Sequence, residues 1–280
     1  MSDPRILTIQ DISCVGQCSL TVALPILSAC GVETAILPSA VLSTHTAGFT
    51  GYTFRDLTED MPKIAAHWQK EGIAFDAFYT GYLGSAQQIQ YVEDIFHTLG
   101  RGRGLKIVDP AMADNGKLYP GFDQAFVEEM KKLCFGADII LPNITEACLV
   151  TDTPYQETYD PAYVQGLLDA LTARGAKTVV LTGVSYQEGR TGVVVYENGK
   201  QAYYEHRRIS KGCHGTGDVY AAAFTGAMVR GLSTYDAARV AADYTVLCIE
   251  KTVGDPDHWY GVKFEKAIPD LLRMLEEAAG

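Results

Sequence analysis

The segment Gly212–Cys213–His214–Gly215–Thr216–Gly217–Asp218 is a glycine-rich turn that runs directly into the alanine-rich stretch Val219–Tyr220–Ala221–Ala222–Ala223–Phe224. The small residues let a helix begin close to its neighbours. They leave the N–H groups of Gly215, Thr216 and Gly217 free to converge on an anion at the positive end of the helix dipole. Asp218 is the discordant residue. A carboxylate in an anion site costs energy unless it has a task there, and taking the proton of an alcohol that attacks a phosphate is such a task. The alternative is a plain glycine turn in which Asp218 is an acid of the first helical turn. GxxxxGK[ST] is absent, so this is no Walker A loop.

Asp109–Pro110 ends an apolar run, and Asp114–Asn115–Gly116 follows in a turn. Pro142–Asn143–Ile144–Thr145–Glu146 ends the next run and opens a helix. If both runs are parallel strands, Asp109, Asn143 and Glu146 meet at the carboxyl edge of the sheet, where ligands bind in such folds. Hard oxygen ligands there suit Mg²⁺ bridged to nucleotide phosphates, partly through water. Asn143 and Glu146 also have the spacing of a helix capping box.

The elements that must position these residues are legible as short apolar runs alternating with longer helical patterns. Strands are expected at Ile6–Gln10, Thr34–Pro38, Ala77–Thr80, Leu105–Asp109, Ile139–Pro142 and Thr178–Thr182. Helices are expected at Leu20–Ala29, Pro62–Lys70, Ala86–Leu99, Phe122–Leu133 and Pro161–Arg174, the last capped by Asp160. Gly192–Tyr196 and Gln201–His206 flank Asn198–Gly199 and read as an antiparallel edge hairpin. Helices Gly217–Arg230, Tyr235–Lys251 and Phe264–Ala279 complete the chain. The alternation predicts a doubly wound α/β sheet, and with no linker or repeat, one domain over 1–280.

Composition agrees with an ordinary globular protein: 280 residues, 47% of them hydrophobic. The net charge of −11 argues against a general nucleic-acid binder. Seven cysteines, an odd number without a CxxC pair, read as reduced thiols. The amino terminus lacks the pattern of a signal peptide and no run is long enough to span a membrane, so a cytoplasmic protein is expected.

Taken together, Ser43–Thr44–His45–Thr46, Gly81–Tyr82–Leu83–Gly84–Ser85, Asp109–Pro110–Ala111–Met112–Ala113–Asp114–Asn115–Gly116–Lys117, Pro142–Asn143–Ile144–Thr145–Glu146 and Gly215–Thr216–Gly217–Asp218 resemble, in order and spacing, the pyridoxal/pyridoxamine kinases of the ribokinase-like superfamily. The resemblance runs from about residue 5 to residue 250, and the first two segments point to the vitamin B6 branch. It implies a three-layer α/β/α sandwich with a mostly parallel sheet and an antiparallel edge hairpin. It also implies ATP-dependent phosphorylation of the 5′-hydroxymethyl group of pyridoxal, pyridoxine or pyridoxamine, in B6 salvage.

By that resemblance Asp218 is the catalytic base, and Gly215, Thr216 and Gly217 form its anion hole. Asp109, Asn143, Glu146, Thr182 and Asp114 belong to the ATP site, with Asp109 and Glu146 toward Mg²⁺ and K⁺ as a further candidate ion. Asp11, Thr46, Tyr82 and His45 face the vitamer, under a flap around residues 43–55. A homodimer is implied too. Asp11 stands where many relatives have Ser, so it can accept from the ring 3-hydroxyl or pair with a substrate amine. Ala113 stands where many have Gly, and would be strained if that position has positive φ. A hydroxymethylpyrimidine or sugar kinase of the same superfamily is the nearest alternative, and a non-catalytic B6 carrier or sensor the alternative from another class. His45 and His214 each have a structural reading as covering side chains. Cys213 sits where a helix N-terminus can lower a thiol pKa, although phosphoryl transfer with Asp218 needs no thiol. Tyr155–Tyr159 reads as a surface loop, and Arg101 and Arg103 as a solvated basic turn.

Overall fold

A computed structural model describes residues 3–209 and 213–280, without the side chain of Arg103; Gly212 of the glycine-rich turn lies outside the described residues. The elements follow in the order β1 (Arg5–Ser13), α1 (Leu20–Ala29), β2 (Glu33–Leu42), β3 (Phe54–Asp56), α2 (Met61–Lys70), β4 (Phe75–Thr80), α3 (Ala86–Thr98) and β5 (Gly100–Val108). Next come β6 (Ala113–Asp114), β7 (Lys117–Leu118), α4 (Gln124–Gly136), β8 (Ile139–Ile140), α5 (Ile144–Thr151), α6 (Pro161–Ala173) and β9 (Thr178–Val184). The hairpin β10 (Arg190–Glu197) and β11 (Lys200–Arg207) precedes α7 (Thr216–Val229), α8 (Thr234–Thr252), a 3₁₀ turn (Phe264–Ala267) and α9 (Ile268–Ala279).

One nine-stranded sheet runs β11-β10-β9-β8-β5-β4-β1-β2-β3. The six strands from β9 to β2 are parallel, and β3, β10 and β11 extend the sheet through antiparallel pairs. Apolar side chains on both sheet faces fill two cores. One packs β1, β4 and β9 under α1, α7, α8 and α9, and the other packs them under α2 to α6. This is the expected three-layer sandwich, and it explains why the central strands read as continuous apolar runs rather than alternating ones.

Local signals act as anticipated in several places. Asp160 caps α6 by accepting the Tyr163 N–H at 2.9 Å. Asn198 and Gly199 both take positive φ in the two-residue turn of β10 and β11. Elsewhere tertiary pairing wins. β5 begins five residues earlier than the apolar run, so the expected turn at Arg101–Arg103 is strand, with Arg101 paired to Asp76 at 3.2 Å. The short β3 and the β6–β7 hairpin carry too few residues to show a period. Ala113 lies in β6 without positive φ, so the strain considered for it is absent; Asn115 and Gly116 make the left-handed turn instead.

The strand order reverses at β1, which has β2 on one side and β4 on the other. In a doubly wound sheet the carboxyl ends of such a pair open a crevice. Asp11 lies at that end of β1, and Gly81 and Tyr82 follow β4 directly.

Candidate active site

Asp11 occupies an irregularity in the sheet. Gln10 pairs with Pro38 but Ile12 pairs with Val41, so two residues of β2 oppose Asp11. The extra residue is carried by β2. Asp11 is buried, and its Oδ2 accepts the Ser13 hydroxyl at 2.8 Å. Ser13 is two residues on, hence on the same face. Ser19 is the N-cap of α1, yet its hydroxyl does not cap the helix and turns to Asp11 instead. Its backbone N–H is directed at Asp218. Ser19 holds φ 55°, ψ −131°, a conformation that non-glycine residues rarely adopt. One strained residue thus stands between two carboxylates.

Asp218 lies in the first turn of α7, whose N-cap Gly215 has φ 74° and offers no capping side chain. Gly215 is required twice over: by its φ, and because a Cβ there would stand 2.0 Å from the Gln17 carbonyl oxygen. Gly217 is different. Its φ is ordinary and a Cβ would meet no atom of the described residues within 4 Å. A glycine in an early helical turn costs up to about 1 kcal/mol relative to Ala. No contact among the described residues accounts for it, so the open space where a Cβ would stand is the reason to look for a ligand there.

Asp109 follows β5 and accepts the Ala111 N–H at 3.2 Å. In register it falls in one row with Gly81 and Gln10 across β5, β4 and β1. The missing side chain of Gly81 leaves room for the Gln10 amide, whose Oε1 would lie 2.5 Å from a Cβ at that position. Glu146 is the third residue of α5. Its Oε2 accepts the Asn143 N–H at 2.9 Å and its Oε1 the Met112 N–H at 3.1 Å. Asn143 returns the bond by accepting the Glu146 N–H at 2.9 Å and donates its Nδ2 to the Ala113 carbonyl at 2.8 Å. The capping box is therefore formed, and it also latches the 111–114 segment onto α5. Thr182 sits beside it, its N–H bonded to the Pro142 carbonyl at 2.9 Å.

These groups feel one another. Burial and the charge of Asp11 push the Asp218 carboxyl up to about 7, against the opposing Ser19 N–H. Burial raises Asp109 and Glu146 as well, and for Asp109 the charges of Glu146 and Asp218 add to it. Tyr119, after β7, faces Glu146, Asp109, Asp114 and Asp218 together. Its spacing in the sequence carries no sign of this. Tyr79, wholly buried on β4 beneath Asp109 and Asp218, is likewise absent from any sequence motif.

The other candidates spread around this centre. Tyr82 is half-buried beside Asp11, with its hydroxyl pushed up to about 12 by burial and that charge. Thr46 and Asp114 are exposed. Asp114 holds the Asn115 amides. His45 is buried in the flap, which leaves the sheet after β2 and returns as β3. Its Nδ1 accepts the Ala47 N–H at 3.1 Å and its Nε2 meets the Tyr260 carbonyl at 2.7 Å, so neither ring nitrogen is left for a substrate. His45, Phe49, Trp259 and His214 form an aromatic stack that fastens the flap to the segment before α9. These contacts give His45 a structural role in place of the vitamer contact expected of it, and His214 packs against its ring. Tyr155–Tyr159 is loop, as expected.

Among the described residues no three His, Cys, Asp or Glu side chains stand close enough to hold a metal by themselves. The donors present fit a hard cation that takes most of its ligands from water and phosphate: Asp109 directly, and Glu146, whose oxygens already serve N–H groups, through water. A depression of ≈ 350 Å³ lined by Arg207, Arg208, Ile209, Glu250 and Val253 lies where β11 and α8 end.

The family model for phosphomethylpyrimidine kinase matches residues 24–261. The chain belongs to that family. Pyridoxal kinases are among its structural neighbours, as the motifs implied. A candidate phosphomethylpyrimidine kinase from Bacteroides thetaiotaomicron, in a crystal form with pyridoxal, is 36% identical, with TM-score 0.90 over 96% of each chain. Pyridoxal kinase from Lactobacillus plantarum is 34% identical, with TM-score 0.91 over 99% of each chain. Hydroxymethylpyrimidine/phosphomethylpyrimidine kinase from Bacillus subtilis is 27% identical over 77% of this chain and 78% of its own. The family is one of kinases, and the fold is that of the pyridoxal kinase neighbours.

Proposed function

We propose that the protein transfers the γ-phosphoryl group of ATP to the 5′-hydroxymethyl group of a B6 vitamer. The observation that carries the reading is the carboxylate of Asp218, set beside the open amides of Gly215–Gly217 and across Ser19 from the buried Asp11. The vitamer lies in the crevice between β1 and β4, near Asp11 and Tyr82 and under the flap. ATP lies along the strand ends past Asp109 and Thr182 toward Arg207 and Arg208. Asp218 accepts the hydroxyl proton as the oxygen attacks phosphorus, and the amides at the start of α7 hold the charge of the transferring group. The residues that would hold Mg²⁺ are Asp109 and, through water, Glu146; the ion would neutralise phosphate charge amid these carboxylates.

The 36% identical relative with pyridoxal supports the vitamer as substrate. The family model and the Bacillus relative favour hydroxymethylpyrimidine as the second reading. Side-by-side kcat/KM values for pyridoxal, pyridoxine, pyridoxamine, hydroxymethylpyrimidine and ribose decide between them, with mass spectrometry of the products. Preference for either of the last two overturns the substrate. Tight vitamer binding without phosphorylated product supports a carrier instead.

A further inference from the structure

Asp11 is a carboxylate 4% exposed, and among the described residues it forms no ion pair. Its surroundings are the hydroxyls of Ser13 and Ser19, His45 from the flap, the Cys18 thiol, the Tyr82 phenol and Asp218 of α7. None supplies a fixed positive charge: the His45 nitrogens are both engaged by backbone, and burial holds Cys18 and Tyr82 neutral. A buried carboxylate lacking a cation is costly, and here a second carboxylate makes it costlier. Asp218 is itself faced by Asp109 from β5, Tyr79 from β4, Tyr119 from the turn after β7 and Cys18. Ser19 is held in a strained conformation to serve both acids.

We propose that Asp11 selects substrates that carry an ammonium beside the reacting hydroxymethyl group, the ammonium pairing with its buried carboxylate. The inference rests on the B6 reading. Among the vitamers pyridoxamine has that ammonium, and pyridoxine is its near-isostere with a neutral hydroxyl. An aliphatic amine is charged at neutral pH. The hydroxyl proton still passes to Asp218 and the phosphoryl group to the alcohol oxygen; the ammonium keeps its proton.

The test is kcat/KM at neutral pH for pyridoxamine and pyridoxine with Mg-ATP, for the wild type and Asp11→Asn, with calorimetric titration of each vitamer. The wild type is expected to favour pyridoxamine by about tenfold or more. In Asp11→Asn the ratio falls toward one. An unchanged ratio in the variant overturns the inference, as does a wild type without preference for pyridoxamine, which decides the matter even if the variant does not fold. Both of those outcomes leave the B6 reading intact. A protein that phosphorylates hydroxymethylpyrimidine and no vitamer overturns the reading, and the inference with it.

Discussion

Replacing Asp218 by Asn separates catalysis from stability in one variant. The amide keeps an oxygen for the Ser19 N–H but can neither ionise nor take a proton. Loss of the base lowers kcat by about 10²–10⁴-fold, while ATP binding at the α7 amides persists. Stability moves the other way. The Asp218 carboxyl sits at about 7 against an ordinary value of 3.8, because burial and Asp11 disfavour its charge. A folded-state value above the unfolded one means that the unfolded chain loses this proton first. Stability therefore falls as pH rises from about 4 to about 7, by about 4 kcal/mol in all. The amide side chain has no such loss, so the variant's advantage is small at pH 4 and grows through pH 7. Between pH 5 and pH 8 the gap widens by about 3 kcal/mol. Urea unfolding at both pH values measures it, and steady-state turnover measures the rest. Turnover close to the wild type, or a gap that does not widen, refutes the placement of Asp218 as a buried base.

Four further outcomes follow from named contacts. Gly217→Ala is expected to fold at least as stably as the wild type, since its methyl meets no protein atom, yet to weaken ATP use; Gly215→Ala is expected to lose stability through its φ and the Gln17 carbonyl, and urea unfolding with ATP kinetics distinguishes the two. Asn143→Ala removes the capping oxygen and the latch on Ala113, costing about 1–2 kcal/mol by chemical denaturation. His45→Phe breaks the bonds to Tyr260 and Ala47, so the flap at 43–53 becomes sensitive to limited proteolysis and KM for the alcohol rises more than KM for ATP. Chelation of divalent metal by EDTA abolishes turnover and weakens ATP binding, as calorimetry checks, because Asp109, Glu146 and Asp218 otherwise repel the phosphates.

Local and periodic information lies in the chain itself. The alternation of apolar runs with helical patterns marks the parallel sheet, because strands covered on both faces must be apolar throughout. Asp218 after a glycine turn, Asp109 after a strand, and the Asn143–Glu146 box are visible because each depends on neighbours within a few residues. The pairing of elements far apart in sequence had to come from the fold. It sets the β2 bulge opposite Asp11, the position of Ser19 between two acids 207 residues apart in numbering (218 − 11), and the inclusion of Tyr79 and Tyr119. It also turns His45 from a substrate candidate into a clasp on Tyr260. Spacing determines which residues can start a helix or end a strand. Only packing decides which carboxylates share a low-dielectric space, and so which of them carries a proton near neutral pH.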